Sequence, residues 1–211
     1  MKSYRQFCSV ARALDVVGDR WALLIVRDLL LGPRRYTDLA EGLPGIGSNV
    51  LATRLRELEA AGVVERRRLP APTPVAVYDL TDEGRGLRSV VDALARWGAP
   101  RLSAPTDDDT VAPRWFVGSV GAVVDAGALD DGARFALVID DVPFGLHVHD
   151  GVVSAGHGAP EQAVATLTGE LPDFFGLARG ERAHARRIDV GGDRAAGRRL
   201  LAALTGCLPD G

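Results

Sequence analysis

The chain has 211 residues, 46% hydrophobic and 25% charged, a balance that excludes a disordered or fibrous protein and allows one or two domains with true cores. The longest apolar run, Trp21 to Val26, is far too short to span a bilayer, and two cysteines at opposite ends, Cys8 and Cys207, exclude a disulfide framework and zinc-ligand spacing. The net charge of −3 conceals an asymmetry: residues 1–102 hold 16 basic and 12 acidic side chains and the remainder 9 and 16, so a basic half precedes an acidic one. The opening residues, Met1-Lys2-Ser3-Tyr4-Arg5, lack the apolar core of a secretory signal. The expectation is a cytoplasmic protein with no membrane partner.

Val10, Leu14 and Val17 fall at i, i+4 and i+7 and predict a first amphipathic helix. Asp19 is placed to cap a second helix over Trp21–Leu30, apolar on most faces and hence central to a core, which Gly32 and Pro33 stop. Tyr36 to Leu43 forms a short third helix, Pro44-Gly45-Ile46-Gly47 breaks it, and a fourth runs from about Ser48 to Ala61 with Leu51, Leu55 and Leu58 on one stripe. Two short helices joined by a glycine-containing turn form a helix-turn-helix. Val63 to Arg68 predicts a strand, Pro70, Pro72 and Pro74 a loop, and Val75 to Leu80 the returning strand. Thr81 caps a last helix that carries Asp82 and Glu83 in its first turn. Helix-turn-helix followed by a basic-edged hairpin is a winged helix, mainly α with a β-hairpin wing.

The fourth helix has two faces. With the leucines turned inward, Asn49, Thr53 and Arg56, joined by Ala52, form an outer stripe. Arginine can donate twice to guanine, asparagine can pair with adenine, and Thr or Ala methyls suit the thymine methyl. Ser48, Arg54 and the helix N-terminus are placed to hold phosphate, and Arg66, Arg67 and Arg68 on the hairpin suit backbone or minor-groove contact. A polar stripe or an arginine run is by itself an ordinary solvated face. Following a helix-turn-helix and leading into a hairpin, they point to double-stranded DNA as the partner.

Ser103 to Ala112, with Pro105, three adjacent aspartates and no apolar periodicity, reads as a linker between domains at 1–102 and 113–211. In the second domain Pro113 stands near the start of a helix through Val124, with strands at Arg134–Asp140 and Phe144–His149, an Asp150-Gly151 hairpin turn, and strands at Val152–Ala155, Ala163–Leu167 and Arg187–Val190. Phe174 to Leu177 lies on a short helix, and Asp193 caps a final one through Leu204. The expected architecture is α+β, a sheet with helices covering one face.

No nucleophile elbow, phosphate loop or catalytic triad pattern is visible, and His147, His149, His157 and His184 lack metal-ligand spacing. A non-enzymatic protein without metal or cofactor is expected.

Residues Cys8 to Tyr36, Val50 to Glu59, Tyr78 to Gly84 and the closing Trp97-Gly98 together resemble the HxlR family of bacterial regulators, over about residues 5–102. The resemblance implies a homodimer, paired through terminal helices, that binds a two-fold symmetric operator with half-sites about one DNA turn apart. Gly47-Ser48 stands where a Ser-Pro pair is expected, and glycine is an acceptable cap there. The resemblance also makes Cys8, just before the first helix and near Arg5 and Arg12, a candidate redox sensor; a structural thiol is the plainer reading.

Gly145 to Val153, Ala165 to Gly169 and Ile188 to Asp193 resemble the sterol-carrier-protein type of lipid-binding domain. That resemblance implies an apolar cavity between sheet and helices for a small-molecule effector, with Trp115, Phe116, Phe135, Phe144, Phe174 and Phe175 as candidate lining. These six are equally suited to be the core. The expected function is transcriptional regulation with effector control; the alternative is a small-molecule carrier that keeps the winged helix only to dimerise.

Overall fold

The computed structural model describes residues 3–70, 74–102 and 105–208. The chain forms two compact units, Met1–Val91 and Asp92–Gly211. The first contains α1 (Ser9–Val17), α2 (Ala22–Leu29), α3 (Tyr36–Gly42), α4 (Ser48–Ala60), the hairpin strands β1 (Val64–Arg68) and β2 (Ala76–Leu80), and α5 (Asp82–Gly86). The boundary falls inside α6 (Arg88–Gly98), none of whose residues is buried.

The apolar α2 sits centrally in this winged helix. Its Ala22, Ile25, Val26 and Leu29 share a core with Leu39 of α3 and Leu43 just after it, Leu51, Leu55 and Leu58 of α4, and Val63, Val64 and Leu80 at the hairpin. Arg34 and Tyr78 exchange backbone hydrogen bonds (2.9 and 2.7 Å), which adds a short third edge to the hairpin. Pro72, expected in the hairpin loop, lies outside the described residues.

Three expectations differ in detail. Asp19 does not cap α2, whose cap position is Trp21; the Asp19 carboxylate instead pairs with Arg54 of α4. The helix after Thr81 is broken, because Gly84 and Gly86 propagate a helix poorly and Leu87 turns back to the Gly84 carbonyl with a three-residue bond. And Val10 and Leu14 of α1 are 64% and 43% exposed, so only Val17 of that stripe enters the core.

Thr81 does cap as expected: its Oγ1 accepts from the Gly84 amide at 3.1 Å and donates to the Gly62 carbonyl. This draws α5 so close to the hairpin that a β-carbon on Gly84 would sit 2.1 Å from the Val63 carbonyl oxygen.

The second unit carries α7 (Pro113–Val123), β3 (Arg134–Ile139), β4 (Val142–His149), β5 (Val152–His157), β6 (Ala165–Gly169), α8 (Leu171–Ala178), β7 (Asp189–Gly192) and α9 (Arg194–Leu204). The strands form one sheet in the order β5-β4-β3-β6-β7, with only the β3–β6 pair parallel. Asp193 caps α9 through the Ala195 and Ala196 amides. Two-residue turns close both hairpins: Asp140-Asp141 at φ 50° and 62°, and Asp150-Gly151 at φ 50° and 72°. Aspartate tolerates that left-handed region better than most residues.

The strand registers separate the two faces of this sheet. Phe135, Leu137, Phe144, Leu146, Val148, Val153, Ala165 and Leu167 share one face and are buried. The other face carries Arg134, His147, His149, Ser154 and Thr168, exposed or half-buried. A sheet with helices over one face is thus what the pattern predicted. Phe116 packs on Phe174 and Phe175 with ring centroids 5.8 and 5.2 Å apart, and Phe116, Phe135, Phe144 and Phe174 are all buried. Trp115 and Phe175 are half-buried. Of the six side chains expected to line an apolar cavity, Phe116, Phe135, Phe144 and Phe174 are thus packed into the core.

Gly84→Ala is expected to lower the unfolding free energy by about 1–3 kcal/mol, since its methyl must displace backbone rather than a flexible side chain. Urea denaturation followed by circular dichroism checks this; an unchanged midpoint would refute the close approach.

Candidate nucleic-acid interface

The interface is built on α3, the turn after it, and α4. Gly45 turns the chain at φ 83°, and Gly47 enters α4 in an extended conformation, so α4 begins at Ser48 as the sequence indicates. Tyr36, the first residue of α3, donates from its hydroxyl to the Ser48 carbonyl at 2.8 Å. This bond pins the two helices together at their N-terminal ends. Hydrophobic periodicity gives no sign of it, because it runs from a ring at a helix start to main chain twelve residues on.

Burial of Leu51, Leu55 and Leu58 sets the rotation of α4. Ser48, Asn49 and Arg56 are exposed, and Ala52 and Thr53 are half-buried beside them. The structure brings the expected stripe together: Arg56 donates from Nη2 to Thr53 Oγ1 at 3.2 Å and from Nε to the Ala52 carbonyl at 3.3 Å. Arg56 therefore lies along the outer side of the helix, held in the described contacts by neutral acceptors. Arg54 is placed differently. Its guanidinium bridges Asp19 and Glu57, so the charge expected to hold phosphate joins α4 to the chain before α2.

The hairpin divides its arginines in the same way. Arg66 and Arg68 share one face of β1, exposed and without an ion-pair partner among the described residues. Arg67 points to the opposite face, where its guanidinium pairs with the buried carboxylate of Asp79. Asp79 also takes Arg85 of α5 at 3.3 Å and the Leu80 amide at 2.8 Å. One buried carboxylate thus fastens the wing to α5. The signal for it was a lone acid in an otherwise apolar strand. A further exposed cation, Arg35, stands at the N-cap of α3.

Cys8 is exposed at the N-cap position of α1. The Arg12 guanidinium, one helical turn on, is engaged with Ser3 and Asp15, at 3.3 and 3.5 Å. Burial pushes the thiol of Cys207, near the other end of the chain, up to about 11. Among the described residues one group, Asp131, His149 and Asp150, sets possible metal-ligand atoms within 4.8 Å of one another; all three are exposed, as solvated turn residues are.

The model of the HxlR-like helix-turn-helix family matches residues 16–105, from the end of α1 past α6. The uncharacterized HTH-type transcriptional regulator YvaP of Bacillus subtilis is 40% identical over 87 residues, 41% of this chain and 80% of the relative. The chain belongs to the HxlR-like helix-turn-helix family. The HTH-type transcriptional regulator YodB of Bacillus subtilis is 37% identical over 95 residues, 45% of this chain and 84% of that protein. A solved structure of reduced YodB from the same organism has 34% identity and a TM-score of 0.40, and covers 48% of this chain and all of that one. The HxlR-like match takes in α3, α4, the wing and Asp79, and residues 106–211 lie beyond it.

Two outcomes follow from this geometry. Asp79→Ala is expected to cost about 1–3 kcal/mol and to loosen the wing, because it leaves Arg67 and Arg85 without their shared acceptor; faster amide exchange confined to residues 64–80 would show it. At pH 8 iodoacetamide is expected to alkylate Cys8 well before Cys207, whose raised pKa keeps it a thiol. Mass spectrometry showing equal labelling would contradict this.

Proposed function

We propose that this protein is a transcriptional regulator that binds double-stranded DNA through α4 and the wing. The observation that carries the reading is the division of α4 into a buried leucine stripe and an outer stripe of exposed Asn49 and Arg56 with half-buried Thr53. Those three, with Ala52, are the residues that read base edges. Arg56 leaves two neutral acceptors to do so, a small cost against a bidentate bond to guanine. Ser48 at the start of α4, with Arg66 and Arg68 on the wing, holds the phosphate backbone. Arg54 and Arg67 act one step back, by setting the angle of α4 and of the wing. YvaP and YodB, described as HTH-type transcriptional regulators, support the same role.

The protein works as a homodimer on a two-fold symmetric operator. What supports this is apolar surface on both terminal helices of the winged helix. Tyr4, Phe7, Val10 and Leu14 are exposed on and before α1, and Val90, Leu94 and Trp97 fall at i, i+4 and i+7 on α6, all exposed. Water-exposed stripes of this kind are stable when a second copy covers them.

For the C-terminal half we propose effector control, in keeping with its one-sided sheet and the sterol-carrier-like order of its elements. An effector bound there acts only by favouring one arrangement of the dimer's two recognition helices over another. Cys8, exposed before α1, is proposed as a second input sensitive to oxidants.

Binding to the DNA upstream of its own gene, measured by fluorescence anisotropy at two salt concentrations, tests the reading. Arg56→Ala is expected to lower specific affinity by about 1–3 kcal/mol and relax discrimination at one base, whereas Arg66→Ala should weaken all DNA alike and reduce the salt slope by about one. Loss of affinity without loss of selectivity in Arg56→Ala would sink the assignment of that residue. The paired substitution Val10→Asp and Leu14→Asp is expected to yield monomers in sedimentation and to lose operator binding; a persisting dimer would place the interface elsewhere.

A further inference from the structure

The open face of the C-terminal sheet is not flat. On three adjacent strands Arg134, His147 and Ser154 are register partners, so β3, β4 and β5 each contribute one polar side chain to a single row. The next row, two residues along, is Ala136, Gly145 and Gly156. Two glycines side by side leave a trough where side chains would stand. The chain after β5 crosses that trough over Gly145, where a β-carbon would meet the Gly158 carbonyl at 3.1 Å and the Pro160 ring at 3.3 Å. The result is a recess of about 350 Å³ lined by Arg134, His147 and Ser154 together with Gly145, Gly156 and the 158–160 segment. Its size is at the small end of ligand sites.

Its charge runs against its surroundings. Residues 103–211 hold 16 acidic side chains against 9 basic ones, yet no acidic residue lines the recess. Arg134 has no ion-pair partner among the described residues, and its fork of donors matches a carboxylate. His147 adds a ring N–H from the same row, and the Ser154 hydroxyl, which donates to the His147 carbonyl at 3.3 Å, ties β5 to β4 at the rim. Beside them Gly156 is bare backbone, and Ala159 and Pro160 are apolar, which suits a flat apolar body.

We propose that this recess is a binding site for a small organic acid, its carboxylate held by Arg134 and His147 and its flat apolar body laid over Gly156 beside Pro160. The site lies on the face opposite the core aromatics. It goes beyond the DNA-binding reading and stands apart from it, because binding is read on the sheet itself.

The test uses the full-length, ¹⁵N-labelled protein, titrated with benzoate, with its uncharged analogue benzamide, and with inorganic phosphate. Benzoate is expected to move the amide signals of Gly145, Gly156 and Gly158 saturably, with benzamide weaker by about tenfold or more. Arg134→Gln should weaken benzoate by a similar factor while the remaining amide spectrum is kept, and Gly156→Leu should close the trough and abolish the response. No saturable shift at these glycines, an equal response to benzamide, or unaltered binding in the two variants would overturn the proposal. Phosphate binding as tightly as benzoate would overturn the apolar-body half of it.

Discussion

Burial of Leu51, Leu55 and Leu58 against α2 is the constraint on which the N-terminal half depends. Each leucine withdrawn from water is worth roughly 1.5–3 kcal/mol, so turning α4 about its axis to expose all three would cost most of the stability margin of a small domain. The rotation of α4 is thereby fixed, and Asn49, Thr53 and Arg56 face outward because the opposite side is occupied. Polar bonds then refine what burial imposes. The Tyr36 hydroxyl sets where α4 starts, and Arg54 spans Asp19 and Glu57 to hold its flank.

The same order of causes holds for the wing. Val64, Val77 and Leu80 anchor its base in apolar surroundings, and Asp79 ties Arg67 and Arg85 to one point. A carboxylate so deeply placed is tolerated because its oxygens are matched by two guanidinium groups and a backbone amide. The arginine run of β1 thus does two jobs, sorted by the alternation of a strand. Arg67 belongs to the protein, and Arg66 and Arg68 face solvent.

Periodicity and turn residues made most of the fold legible. The helix starts at Ser48 and Asp193, the cap at Thr81, the Asp150-Gly151 turn and the strands around it are all local signals, and local signals are written in neighbouring residues. What escaped was long-range. Asp19 reads as a helix cap until Arg54, thirty-five positions away, is seen to pair with it. Val10 and Leu14 have the spacing of core residues, and spacing cannot distinguish a face covered by this chain from one left open. The glycines of β4 and β5 read singly as weak points in strands. Only the registers show that Gly145 and Gly156 stand side by side.

The two-residue turns at Asp140-Asp141 and Asp150-Gly151 have a consequence for how this domain can vary over time. They leave no slack between β3, β4 and β5, and side chains in a strand alternate faces with every residue. Deleting or inserting one residue within β4 would carry Phe144, Leu146 and Val148 out to solvent and drive His147 into the core. Descendants of this sequence are therefore free to lengthen or shorten the stretch around Asp107, which bears no ladder, whereas β3 to β5 must be inherited as a block of constant length. The hairpins act as a ruler, and the row from Arg134 to Ser154 is what the ruler keeps aligned.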